Sequence, residues 1–109
     1  MKTIMEKVAL VTGSSSGIGF ETSLALARNG FHTFATMRDL SKDEKIKHVI
    51  EKEDLDIEIL ELDVDSEESV NRAIKIISGK KGRIDVLVNN AGYGMWGTVE
   101  DVSIDEFKE

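Results

Sequence analysis

Val8-Ala9-Leu10-Val11-Thr12-Gly13-Ser14-Ser15-Ser16-Gly17-Ile18-Gly19 is the stretch on which the fold turns. Its four leading residues are continuously apolar, with no polar alternation, which suits a strand covered on both faces, as in a parallel sheet. A loop of small residues follows, and then helical spacing. Phe20, Leu24 and Ala27 share one face, widened by Ala25 and Leu26, and Asn29-Gly30 supplies the stop. Gly13 permits a tight turn out of the strand. Gly17 lets the backbone approach a pyrophosphate, and Gly19 lets the helix lie close on the sheet. The helix N-terminus offers unpaired N–H groups and a partial positive charge. Ser14, Ser15 and Ser16 add hydroxyl donors with little bulk. Spaced glycines alone occur in any tight loop; the strand before them and the helix after them make the dinucleotide reading. The rival is a P-loop for nucleoside triphosphates, which needs Lys then Ser/Thr after its last glycine. Phe20 and Glu21 stand there instead.

Outward from this stretch, strand and helix patterns alternate. Thr33–Met37 reads as a second strand, rich in β-branched and aromatic residues. Ser41 and Glu44 fit a capping box that opens a helix through Ile46, Val49 and Ile50. Ile57–Leu62 reads as a third strand. Asp65 and Glu68 then open a helix with Val70, Ala73, Ile74 and Ile77 on one face and Gly79 at its end. Ile84–Val88 is a fourth strand that runs into Asn89-Asn90-Ala91-Gly92, and Ser103 with Glu106 starts a fourth helix. This alternation predicts an α/β fold: a Rossmann-like, doubly wound parallel sheet, incomplete, with about four strands and three to four helices. Residues 1–109 are expected to be the N-terminal part of one dinucleotide-binding domain. On this reading the fourth strand is an open apolar edge, so self-association into a homo-oligomer is expected.

Composition narrows the function. A net charge of −7 over 109 residues argues against nucleic acid or an anionic membrane as partner, since both need a basic footprint. No apolar run approaches spanning length. The absence of cysteine excludes a disulfide framework, a thiolate nucleophile and a Cys-based zinc site, and points to a cytoplasmic setting. His32 and His48 lie far apart without ligand spacing and read as ordinary polar residues, so no metal site is expected.

The chain resembles the short-chain dehydrogenases/reductases. Thr12, Gly13, Gly17 and Gly19 match the fixed positions of that family's Thr-Gly-x-x-x-Gly-x-Gly. Asn89-Asn90-Ala91-Gly92 matches its Asn-Asn-Ala-Gly, and Asp63-Val64 its acidic-then-apolar pair after the third strand. The resemblance implies that Ser15, Ser16 and Ile18 line a pyrophosphate site. It implies that Asp63 accepts from the adenine amino group beside a Val64 backbone contact, and that Asn90, Ala91 and Gly92 pass near a ribose. Asp63 as a solvated strand-end acid, and Asn90 as a strand-bridging residue, are the structural alternatives.

NAD-dependent members carry an acid at the end of the second strand for the ribose hydroxyls. Met37 occupies that place and Arg38 follows it, which favours NADP, with NAD as the alternative. The family's serine and Tyr-x-x-x-Lys fall beyond Glu109, and Tyr93 is followed four places later by Gly97. No catalytic residue is therefore assigned, and the 109-residue chain alone is expected to be inactive. The implied activity is hydride transfer between NADP(H) and a small alcohol or carbonyl. A non-catalytic dinucleotide-binding or self-assembling module is the alternative.

Overall fold

A computed structural model describes residues 6–90 and the backbone of 98–100. Their elements are β1 (Val8–Val11), α1 (Gly17–Arg28), β2 (His32–Met37), a 3-10 turn (Leu40–Lys42), α2 (Glu44–Glu53), β3 (Ile57–Glu61), α3 (Glu67–Lys80), β4 (Val86–Val88) and β5 (Thr98–Glu100). The sheet order is β3-β2-β1-β4-β5. The first four strands are mutually parallel, with Leu10 opposite Phe34 on one side and Leu87 on the other.

Helices cover both faces, as the unbroken apolar character of β1 requires. Val8, Leu10 and Phe34 pack with Ala73, Ile74 and Ile77 of α3 on one face. On the other, Ala35 and Met37 meet Phe20 and Leu24 of α1 and Ile46 of α2. Every residue of β1 and β2 is buried, whereas β3, at the sheet edge, is half-covered. The doubly wound parallel architecture expected from the sequence is the one observed. The chain moves outward from β1 to β2 and β3, then returns past β1 to form β4. The strand order therefore reverses between β1 and β4, where such sheets open a crevice at their C-terminal ends.

Several local expectations are corrected. The fourth strand is not an open edge: β5 pairs antiparallel with it, Leu87 opposite Val99. Among the described residues the edge strands of the sheet are β3 and β5. Ser41 does not cap α2. Asp39 caps the 3-10 turn by accepting from the Ser41 amide, and α2 begins after Asp43 without a side-chain cap. The α3 cap is Ser66, whose hydroxyl accepts from the Ser69 amide, one residue after the expected Asp65. Nor does Gly79 end α3; the helix continues to Lys80, and the left-handed Gly82 turns the chain while its N–H donates to the Ile77 carbonyl. The helix expected from Ser103 lies outside the described residues.

Candidate nucleotide site

The glycine loop sits at the C-terminal end of β1, and α1 starts three residues earlier than apolar spacing suggested, at Gly17. Hydrophobic periodicity cannot register a helical turn made of glycine and small residues. Gly17 has φ +62°, and a Cβ built there meets nothing within 4 Å, so its outer side is open. Gly19 is the opposite case. A Cβ there would overlap the Gly13 carbonyl oxygen and come 2.9 Å from Asn90 Nδ2. Only glycine allows α1 to seat this closely on the turn leaving β1.

The first turn of α1 carries no acidic residue, and Ser16, its N-cap, makes no side-chain capping bond. The positive end of the helix is therefore not satisfied by its own cap. Ser16 and Ile18 are exposed, Ile18 by 72% despite its apolar side chain. Ser14 departs from the sequence reading. It is fully buried; its amide donates to the Thr36 carbonyl and its hydroxyl to the Val11 carbonyl (3.1 Å). Ser23, one turn into α1, places its hydroxyl 3.0 Å from Ser14 Oγ and 2.9 Å from the Gly19 carbonyl. Ser14 and Ser23 thus hold the loop to the helix and present no donor outward. Ser23, a small polar residue on an otherwise apolar helix face, was the available signal for this network.

Thr12 and the Asn89-Asn90 pair lock the switch point. The Thr12 hydroxyl donates to Asn89 Oδ1 (3.1 Å) and accepts from the Asn90 amide (2.8 Å), while Asn90 Nδ2 donates to the Gly13 carbonyl at 3.4 Å. Asn90 accordingly bridges β4 to the glycine loop. Ala91 and Gly92 lie outside the described residues.

A cleft of about 440 Å³ runs across the C-terminal ends of β1, β2 and β3. It brings together five residues singled out in the sequence: Gly13, Ser15, Arg38, Asp63 and Val64. Gly17, Gly19, Ser16, Ile18 and Asn90 are on the adjoining loop and strand end, outside its lining. Met37 and Leu62, both buried, contribute apolar surface. Asp63 Oδ1 accepts from the Asp65 amide (3.0 Å), and the Asp63 amide donates to the Ser69 hydroxyl, which fixes the chain leaving β3.

Lys42, which sequence reasoning missed, and Asp39 are also at the site. Both line the same cleft, brought there by the 3-10 turn that stood in place of the expected helix start. Asp39 Oδ1 accepts from the Ser41 hydroxyl (2.7 Å) and amide (3.0 Å), and these bonds hold its carboxyl below the usual range.

A second cluster lies at the opposite end of the sheet. His32 is buried, with Nδ1 2.9 Å from Asp56 Oδ1, and Glu6 lies close by. The Lys81 ammonium binds Glu6 at 2.7 Å and, with a further bond involving Asp56, holds its carboxyl low. Lys80 pairs with neighbouring Glu58. These contacts make the cluster an ion-pair network closing the foot of the sheet.

Parallel strands, helices on both faces and a glycine turn with an uncapped helix end at the switch point define a Rossmann-like α/β protein. The model of the family described as short chain dehydrogenase matches residues 7–109, and the chain belongs to that family of oxidoreductases. It is 47% identical over 91 residues to the short-chain dehydrogenase/reductase prx1 of Penicillium rubens, covering 83% of this chain and 26% of that protein. Among solved structures it resembles an actinorhodin polyketide ketoreductase with NADPH (TM-score 0.74, 32% identity, 84% of this chain and 35% of that one). It also resembles a metagenomic short-chain oxidoreductase in complex with NADP (TM-score 0.73, 33% identity, 81% and 40%). The chain spans between about a quarter and two-fifths of the length of these relatives. Among the described residues no helix is long and apolar enough to cross a membrane.

Proposed function

We propose that residues 1–109 are the cofactor-binding N-terminal part of an NADP-dependent short-chain oxidoreductase. The observation that carries this is the end of β2. Met37, buried and apolar, stands where an NAD-selecting acid would accept the ribose hydroxyls, and the next residue in the cleft is the exposed Arg38. The nearby acid, Asp39, has its carboxylate directed to Ser41. Arg38 forms no ion pair among the described residues, so its guanidinium is available to a 2′-phosphate. The two structural relatives, one with NADPH and one in complex with NADP, support the same choice.

In this reading Gly13, Gly17 and Gly19 shape the turn, and Ser15, Ser16 and the Ile18 backbone border the pyrophosphate. The open side of Gly17 and the uncapped first turn of α1 fit that group. Asp63 and Val64 face the adenine, and Asn90, with Ala91 and Gly92, the ribose on the nicotinamide side. Bound NADP(H) supplies the hydride exchanged with an alcohol or carbonyl substrate. The described residues bind and orient the cofactor and perform no proton transfer. A cytoplasmic, homo-oligomeric protein without nucleic-acid or membrane partners belongs to the same proposal.

The test is calorimetric titration of NADPH and NADH against the wild type and Arg38→Ala. NADPH binds more tightly than NADH, and the substitution removes most of the difference, about ten- to a hundredfold for one charge-assisted contact. Equal binding of both cofactors, unchanged by Arg38→Ala, would exclude NADP selection.

A further inference from the structure

The foot of the sheet holds more negative charge than its ion pairs balance. His32 opens β2, is only 8% exposed, and lies between carboxylates on both sides of its ring. Nδ1 is 2.9 Å from Asp56 Oδ1, and Nε2 is 3.6 Å from Glu58 Oε1. Nε2 is closed to solvent and has no hydrogen-bond partner among the described residues. Phe34, two residues along β2, packs against the imidazole with centroids 4.9 Å apart at 72°, which holds the ring plane. Glu6 adds a third carboxylate, its oxygen within 4.8 Å of the His32 and Asp56 polar atoms. Two ammonium groups from the end of α3 face these acids, Lys80 on the other oxygen of Glu58 and Lys81 on Glu6. On the other side of β1, Arg83 binds Asp85, and Lys7 lies near it.

A neutral imidazole has one N–H. Whichever nitrogen carries it, the lone pair of the other faces a carboxylate oxygen, and in a buried setting that contact is costly. An imidazolium has a proton for each carboxylate. It also adds the third positive charge that Glu6, Asp56 and Glu58 require beside Lys80 and Lys81. Because Nε2 is sealed from solvent, a proton completes the contact where a hydrated metal ion would need room.

We infer that His32 is a proton-operated clamp: as the imidazolium it ties the start of β2 to Asp56 and Glu58 on edge strand β3 and its approach, and on losing its proton it releases them. The Thr33 amide already donates to the Asp56 carbonyl at 3.0 Å, so Asp56 carries both the backbone and the side-chain attachment of β3. Folding favours the protonated ring. The contribution of the clamp is therefore full on the acid side of the histidine range and is lost as pH rises through it. Nothing in it depends on the choice of cofactor.

The test uses the full chain without added ligand. Long-range proton–nitrogen NMR of the imidazole reads which ring nitrogens carry protons. Urea unfolding at about pH 6 and about pH 8 reads stability in wild type, His32→Gln and Glu58→Gln. His48→Gln, at the exposed histidine of α2, is the control. Both nitrogens of His32 are protonated at the acid end, and the wild-type unfolding constant rises about tenfold towards the alkaline end. Amide exchange in β3, corrected for its intrinsic pH dependence, accelerates over the same range. His48→Gln keeps this slope, whereas His32→Gln and Glu58→Gln flatten it. A His32 ring with a single proton throughout the range overturns the clamp, as does a slope that survives in His32→Gln. A ring that responds to zinc chloride and not to pH assigns the cluster to a metal ion and overturns it as well. The ring measurement on wild type decides the matter even where a substitution at this buried position prevents folding.

Discussion

Gly19→Ala adds one methyl group at the tightest backbone contact of the site. The new Cβ would overlap the Gly13 carbonyl oxygen and lie 2.7 Å from its carbon and 2.9 Å from Asn90 Nδ2. Ordinary heavy-atom contacts need about 3.3–3.5 Å or more, and the overlap with the oxygen is the worst, so α1 or the loop must move by more than about 1 Å. The loop cannot give cheaply. Thr12 donates to the Val88 carbonyl at 3.0 Å and Ser14 to the Thr36 carbonyl at 2.9 Å, tying both sides of Gly13 to neighbouring strands. Overpacking of this kind costs about 1–3 kcal/mol, and an obstacle made of backbone places it near 3. For a domain of this size that lowers Tm by roughly 12–24 °C. Thermal unfolding followed by circular dichroism measures it, with Gly79→Ala as the control. Gly79 is exposed within α3 and a Cβ there meets nothing within 4 Å, so alanine stabilises the helix by about 0.5–1 kcal/mol. Opposite signs for the two substitutions are expected, with NADPH binding lost only in Gly19→Ala. A Gly19→Ala protein that melts and binds like the wild type would refute the close approach of α1 to the loop.

Thr12→Val keeps the side-chain shape but leaves the Asn90 amide and Asn89 Oδ1 without their partner. It costs about 1–3 kcal/mol in urea denaturation, and Thr12→Ser recovers most of it. Asp85 accepts from the Val8 amide at 2.7 Å and from Arg83 Nε at 2.9 Å, and Arg83 first, then Val8, holds its carboxyl below the ordinary 3.8. A lowered carboxyl stabilises the fold above its unfolded value and loses that contribution as pH falls through the folded one. Asp85→Asn therefore destabilises by about 1 kcal/mol at pH 7, and the gap between variant and wild type closes below about pH 3.8. A gap that persists unchanged into that acid range would count against the charged contact.

The legibility of this chain followed the range of the interactions involved. Burial of a strand on two faces demands a local apolar run, and Val8–Val11 displays one. Glycine requirements are equally local, so the turn at Gly13 and the open approach at Gly17 could be read directly. Caps were off by a residue or more because Asp39, Ser41, Asp43, Asp65 and Ser66 are all competent acceptors. Backbone direction, which no short pattern specifies, chooses among them. Lys42 remained hidden because a 3-10 turn between β2 and α2 aims it at residues from three different strands.

By itself, the sequence determined the alternation of strand and helix, the glycine turn after β1 and the basic residue that follows β2, because each depends on neighbours along the chain. Tertiary structure decided that Ser14 is buried and Asn90 is a brace. It also covered β4 with β5 and grouped Arg38, Lys42 and Asp63 in one cleft. Those outcomes depend on which strands lie side by side, and that is settled only when the helices pack onto both faces of the sheet.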